Sequence, residues 1–328
     1  MIRRTIAIAL LFISISIIIL VPILTFTPMG KRLFDGAAAT PTPTIVPFTP
    51  TPKPKPTPIL TVKGKLPAIT ASEAILLDND TGHILDDQQG ERPAPMASTT
   101  KIMTALIAIQ AGDLNKVVTI QKDAINEAIL HNGSNANLHV GDQLTLLNLL
   151  YALMLPSGDD AAIAIADAVG GSTANFVNTM NLFAYRLRLF QTHYINPDGL
   201  TYYDANGQPL PGHYTTAYDL VRLARYAMSV PLFVQIVSTK HYQLPANPTH
   251  HSYSWVNTNT LLTTYAGMTG IKTGFTIEAG GCLVFSATRA GHHLLGVVLH
   301  STDEVHRFSD AKLLLDWGFA LPLLPPVQ

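Results

Sequence analysis

Ser98 and Lys101 are a pair whose types and spacing could do chemistry. Three positions apart on a helix, a hydroxyl and an amine lie on one face, one above the other. The lysine is the oddity, because a cation in a first turn sits at the positive end of the helix dipole. Held among apolar groups, an amine loses part of its preference for the charged form and could act as a neutral base. A serine within reach of such a base is an activated nucleophile. The plainer alternative is an N-cap serine with a lysine reaching to water, and the pair alone does not exclude it. Further along, Ser157 sits in Pro156-Ser157-Gly158-Asp159. A hydroxyl on a rigid turn can pass a proton between an amine and a leaving group, although alone this stretch also reads as a connector with Asp159 as N-cap. A third stretch is Gly270-Ile271-Lys272-Thr273-Gly274-Phe275-Thr276. Lys272 and Thr273 offer a positive charge and a hydroxyl suited to a carboxylate. Gly274 lets another backbone approach a strand edge, where an extended peptide could pair by strand addition.

These residues need elements to hold them. Pro93 and Pro95 end any earlier element, and Gly112 is a natural helix stop. Between them Ile102, Ala105, Leu106 and Ile109 repeat at helical spacing, which predicts a buried helix beginning near Ser98. Apolar helices are expected over Leu144–Leu155 and Asp159–Val169, the first stopped by Pro156 and the second by Gly170-Gly171, so that Ser157 falls between them. Further helices are expected at Ala174–Phe190, Thr216–Met228 and Ala311–Phe319. Ala74–Asp78 and His83–Leu85 read as strands split by the turn Asn79-Asp80-Thr81-Gly82. Gly280–Thr288 and His293–His300 read as a hairpin turning at Arg289–His292. Strands at both ends with helices between them predict one sheet, closed by the two ends of the domain, with a helical insertion.

The 328 residues suffice for one large domain or two small ones. A net charge of −1 with 13% charged residues indicates no nucleic-acid surface. The 12 histidines include no His-Glu-x-x-His, and pairs such as His250-His251 lack helical ligand spacing, so no metal is expected. The single cysteine, Cys282, rules out an intramolecular disulfide and reads as a core residue. Arg3 and Arg4 precede an uncharged apolar run from Thr5 to Phe26, long enough at roughly 20 residues to span a bilayer. No small-x-small cleavage site follows directly, so residues 1–35 are expected to be an uncleaved signal anchor. Residues 36–65 are expected to be a spacer, whose Thr-Pro repeats from Thr40 to Pro58 would extend about 50–60 Å at about 3.1 Å per residue. Residues 66–328 would be the catalytic domain.

Taken together, the order and spacing of Ser98-Thr-Thr-Lys101, Ser157-Gly-Asp159 and Lys272-Thr-Gly274 resemble the three motifs of penicillin-binding proteins and serine β-lactamases. The flanking residues narrow the resemblance to the low-molecular-mass D-alanyl-D-alanine carboxypeptidase family. They are Pro95–Leu106, Leu155–Ala162, Asn196-Pro-Asp-Gly-Leu200, His213–Leu220 and Gly270–Thr276. The resemblance runs from roughly Leu66 to Phe319. It implies an α+β fold of the β-lactamase/transpeptidase type, an antiparallel sheet flanked by helices with an all-helical subdomain. It implies removal of the terminal D-alanine of peptidoglycan stem peptides through an acyl-enzyme, without a cofactor, outside the cell membrane, with β-lactams as covalent inhibitors. Ser98 would be the nucleophile, Lys101 its base and Ser157 a proton relay. Lys272 and Thr273 would bind the substrate carboxylate beside Gly274, and the N–H groups of Ser98 and Phe275 would form the oxyanion hole.

Two departures from the family stand out. Its second motif usually ends in Asn where this chain has Asp159. A carboxylate cannot donate to a substrate amide as asparagine does, and beside Lys101 it would hold the amine in its charged form. Many members also continue into a β-domain and a C-terminal amphipathic anchor; here an N-terminal anchor would serve instead. A D,D-endopeptidase with the same machinery, or a non-catalytic penicillin-binding sensor that Asp159 alone favours, are the alternatives. The Glu-x-x-Leu-Asn that a β-lactamase with these motifs needs is absent.

Overall fold

The structure, a computed structural model, describes residues 58–324. The expected anchor from Thr5 to Phe26 and the Thr/Pro-rich stretch up to residue 57 lie outside the described residues. Among the described residues no single helix is long and apolar enough to cross a membrane.

In chain order the elements are β1 (Ile59–Leu60), β2 (Glu73–Asp78), β3 (Ile84–Gln88), a 3-10 turn (Ala97–Thr100) running into α1 (Lys101–Gln110), β4 (Val117–Thr119), α2 (Lys122–Leu130), β5 (Gln143–Thr145), α3 (Leu146–Met154), α4 (Asp159–Gly170) and α5 (Thr173–Arg186). There follow α6 (Ala217–Met228), α7 (Pro231–Ser238), β6 (His241–Leu244), β7 (Tyr253–Val256), α8 (Leu261–Thr264), β8 (Met268–Thr276), β9 (Gly280–Arg289), β10 (His292–Ser301), α9 (His306–Phe319) and β11 (Leu323–Leu324). The main sheet has the order β3-β2-β10-β9-β8, and every neighbouring pair is antiparallel. Early and late strands thus meet in the middle, with the helical stretch inserted between them, as the sequence pattern predicts.

The sheet strands are apolar on both faces because both faces are covered. Ile75, Leu77, Val284, Leu295 and Val297 join the larger core with α1, α3, α4 and α6. Their alternating neighbours Leu76, Leu283, Phe285, Leu294 and Val298 join a second core under α9. Cys282 is buried in the larger core, where desolvation pushes its thiol up to about 12. The β9–β10 hairpin turns through Ala290 (φ +50°) and Gly291 (φ +82°), and two consecutive left-handed residues match the twist of a two-residue hairpin.

Several boundaries differ from the periodic reading. The helix expected from Leu144 starts at Leu146, because Gln143–Thr145 pairs with Val117–Thr119 as a ribbon. Thr145 then caps the helix, its hydroxyl accepting the Asn148 N–H at 3.2 Å. The helix expected to reach Phe190 stops at Arg186, with Arg188 left-handed at φ +59°. The last helix starts at His306 rather than Ala311, since the Asp303 carboxylate accepts the N–H groups of Val305 and His306, both at 2.8 Å. Ile59–Leu60 lies in the stretch expected to be spacer, yet it pairs with Leu323–Leu324.

Candidate active site

The 3-10 turn Ala97–Thr100 places Ser98 one turn ahead of Lys101, at the head of α1. Lys101 is fully buried. Its Nζ donates to Ser98 Oγ (2.9 Å), to Asp159 Oδ1 (2.5 Å) and to the Asp198 carbonyl (2.8 Å). Three separate segments therefore converge on one amine. Ser98, 9% exposed, lines the cleft.

Asn196-Pro-Asp-Gly-Leu200 is the segment that supplies the carbonyl. Pro197 accepts the Thr104 hydroxyl at 2.6 Å, and Asn196 accepts the Gly199 N–H at 2.8 Å. A side chain at Gly199 (φ +92°) would meet the Ala97 carbonyl oxygen at 1.9 Å, so only glycine lets this loop lie against the serine turn. On the other side lies β8, the edge strand of the sheet. A Cβ at Gly274 would stand 3.1 Å from Ser98 N and 3.2 Å from the Met96 carbonyl. The glycine of the third motif is thus what brings the strand edge beside Ser98 N–H.

Ser157 holds a left-handed backbone (φ +68°), a strained choice for a residue with a side chain. Its hydroxyl is buried in the cleft wall with no hydrogen-bond partner among the described residues. Behind it, the Asp160 carboxylate accepts the N–H groups of Ala136 and Leu138, both at 3.0 Å, while Asp159 N–H donates to Ser134 O at 2.9 Å. The start of α4 thereby fixes the loop that forms one wall of the cleft. Thr273 shares a 2.6 Å hydrogen bond with Thr258. The cleft, about 360 Å³, is lined by Ser98, Ser157, Asp159, Thr258, Thr273 and Gly274, among others.

The structure thus brings Ser98, Lys101, Ser157, Asp159, Thr273, Gly274 and Phe275 together around one cleft. Lys272 lies on the same strand, fully buried, with its amine donating to the Thr273 carbonyl at 3.0 Å. Three residues were not singled out from sequence. Arg307 reaches the cleft from α9 and donates to the Gly274 carbonyl at 2.8 Å. Thr258 follows the β6–β7 ribbon, and Asp198 sits under Lys101. Arg307 and Thr258 carry no local pattern. Asp198 does lie in a family-like stretch, which was the available signal.

Charge is concentrated and dry here. Burial raises the Asp159 carboxyl, and Lys101 and then Lys272 pull it the other way. Burial, reinforced by the Asp159 charge, raises Asp198 to about 8. Lys272 is drawn well below the ordinary lysine range by burial first, then by repulsion from Lys101 and Arg307. A pocket with a destabilised lysine charge beside a buried arginine is one that an incoming carboxylate would relieve.

A serine on a buried lysine, a second serine on a strained turn and a lysine–threonine edge strand, set between such a sheet and helices, define the active-site-serine D,D-peptidase class. The comparisons with known proteins agree. The sequence model of the peptidase S11 family, described as D-alanyl-D-alanine carboxypeptidase, matches residues 61–303, and the chain belongs to that family. It is 40% identical over 267 residues to a D-alanyl-D-alanine carboxypeptidase of Streptomyces sp. (strain K15), covering 78% of this chain and 89% of that one. It is 34% identical to D-alanyl-D-alanine carboxypeptidase DacF of Bacillus subtilis (strain 168), covering 76% of this chain and 62% of the relative's length. Among solved structures, the Streptomyces K15 DD-transpeptidase matches with a TM-score of 0.73 at 38% identity, over 79% of this chain and all of that one. The family and fold implied by the motifs are therefore those observed.

His213, in the fourth family-like stretch, also shapes the site from behind. It is hydrogen-bonded to the Thr100 hydroxyl at 2.7 Å and its Nδ1 accepts the Ile195 N–H at 3.2 Å. Burial, then the charges of His193 and Lys101, lower it from 6.5 to about 3. The neutral ring's contribution to stability is fully present above about pH 6.5 and is lost as pH falls toward about 3, at about 1.4 kcal/mol per unit. Denaturant unfolding of the wild type should therefore weaken more steeply between about pH 6.5 and pH 4.5 than that of His213→Gln, by about 2–3 kcal/mol. Equal slopes would show that His213 is not held neutral.

Proposed function

We propose that this protein removes the terminal D-alanine of peptidoglycan stem peptides by a Ser98 acyl-enzyme. The observation that carries this reading is the 2.9 Å contact between Lys101 Nζ and Ser98 Oγ at the floor of the cleft. Ser98 Oγ attacks the carbonyl carbon of the penultimate D-alanine, and its proton passes to Lys101. The negative oxygen is held by the N–H groups of Ser98 and Phe275, a contribution of about 3–4 kcal/mol per donor. Collapse breaks the peptide bond, and Ser157 hands a proton to the departing amine while Lys101 replenishes it. Water then hydrolyses the ester. Thr273 and the Arg307 guanidinium line one end of the cleft, with Lys272 buried behind Thr273, a set suited to the substrate's terminal carboxylate. The part of the β8 edge that lines the cleft, Thr273 to Thr276, suits an extended peptide added as a further strand. A β-lactam would open by the same attack and remain as the ester.

Residues 1–35 we take as a membrane anchor and the Thr/Pro-rich stretch as a spacer that ends before β1, which would leave the catalytic unit on the outer side of the membrane. The uncharged apolar run after Arg3 and Arg4 supports the anchor. A second reading has an amine in place of water as acceptor for the acyl group. It is favoured by the resemblance to a Streptomyces K15 protein described as a DD-transpeptidase.

Incubation with a stem pentapeptide should release free D-alanine and leave the tetrapeptide, and Ser98→Ala should abolish both. Release that needs an added amine would favour the transferase reading. No release from a protein that still reacts with penicillin would make it a sensor.

Asp159 sets a second expectation. Its carboxylate lies 2.5 Å from the Lys101 amine as its buried counter-charge, and a nearby opposite charge favours the charged form of a base. Asp159→Asn removes that counter-charge and supplies a donor for the substrate amide, worth about 0.5–1.5 kcal/mol. The acid limb of the acylation profile should move to lower pH, with activity near neutrality kept or improved. A fall of more than about tenfold (about 1.4 kcal/mol) with an unshifted profile would give Asp159 a role of its own.

A further inference from the structure

Outside the cleft, His139, Asp142 and His251 present one ligand atom each, all within 4.8 Å of one another. The two histidines are exposed and the aspartate is buried. His251 Nδ1 lies 2.9 Å from Asp142 Oδ1, and the two imidazoles stack with centroids 4.1 Å apart. We infer that these three side chains form a binding site for a divalent cation of the zinc class.

The donor set decides the class of ion. Two imidazole nitrogens and one carboxylate oxygen suit zinc and its neighbours, whereas calcium and magnesium favour oxygen ligands throughout. At about 2.0–2.2 Å from a tetrahedral zinc, ligand atoms stand about 3.3 Å apart. The 2.9 Å between His251 Nδ1 and Asp142 Oδ1 therefore needs only a small widening.

The surroundings are ordered as a ligand set requires. Tyr253 donates to Asp142 Oδ2 at 2.5 Å, and the His251 N–H donates to the same oxygen at 2.9 Å. Such outer hydrogen bonds orient a ligating carboxylate. Tyr253 OH also accepts the His139 N–H at 3.1 Å, and the Gln143 N–H donates to the Thr249 carbonyl at 2.9 Å. The two loops that carry the ligands are thus already tied together.

One loop, between α2 and β5, begins with His131, Asn132, Gly133 and Ser134, which line the cleft. The other joins β6 to β7. A bound cation would staple the cleft wall to that ribbon, a stabilising rather than a chemical role. Sequence spacing hid the site, because its third ligand comes from a loop more than a hundred positions away.

The test uses protein freed of metal with a chelator and titrated with zinc chloride by calorimetry, and with Co2+ by visible absorption. One equivalent of zinc should bind in the micromolar range or tighter, Co2+ should give tetrahedral d–d bands, and zinc should raise the Tm by several degrees. His251→Ala and His139→Ala, both at exposed positions, should lose the binding, the bands and the Tm shift, while His131→Ala at the cleft keeps them. Zinc binding that survives in both cluster variants, or no stoichiometric binding to the wild type, would overturn the assignment.

Discussion

A lysine amine with no access to solvent is costly to bury, and the structure is organised around meeting that cost. Lys101 is held by a carboxylate from α4, a carbonyl from the Asn196–Leu200 loop and the hydroxyl of Ser98. Removing one member of a buried pair typically costs about 3–5 kcal/mol, because the other charge is left alone. The three donors of an ammonium match the three acceptors observed. As a neutral amine, the same nitrogen keeps two donors for Asp159 and Asp198 and turns its lone pair toward the Ser98 proton. The geometry therefore serves both protonation states, which a base that gains and loses a proton in each cycle requires.

The fold follows from that requirement. The amine needs α1 to be buried on every side, which the larger core provides through α3, α4 and the inner face of the sheet. The hydroxyl needs to reach the cleft, which the 3-10 turn provides by bringing Ser98 into its lining. The sheet contributes an edge, β8, that can lie against the serine because Gly274 has no side chain. Behind the edge, α9 brings Arg307 onto the Gly274 carbonyl and so pins the strand while adding a positive charge.

Much of this was legible in the residues. Ser98, Lys101, Ser157, Lys272 and Thr273 could be found because their local motifs are short and their order is specific. The β9–β10 hairpin could be found because its strands and turn are strongly patterned. What was hidden came from pairing and capping, which periodicity does not report. Leu144 is apolar and in phase with α3, yet it belongs to a ribbon strand because Thr145 is the better cap. Helix α2 has Ala124 and Ala128 as its buried positions, too small to mark an apolar face. Arg307 could not be read as a site residue, since its role arises only when α9 packs across the sheet.

The central claim is that Ser98 is the residue that becomes acylated. Intact-mass analysis of the protein after reaction with a β-lactam, followed by peptide mapping, tests it most directly. The account predicts one added β-lactam mass on the peptide containing Ser98, and no adduct in Ser98→Ala. An adduct at Ser157 or any other serine, or one that persists in Ser98→Ala, would contradict it.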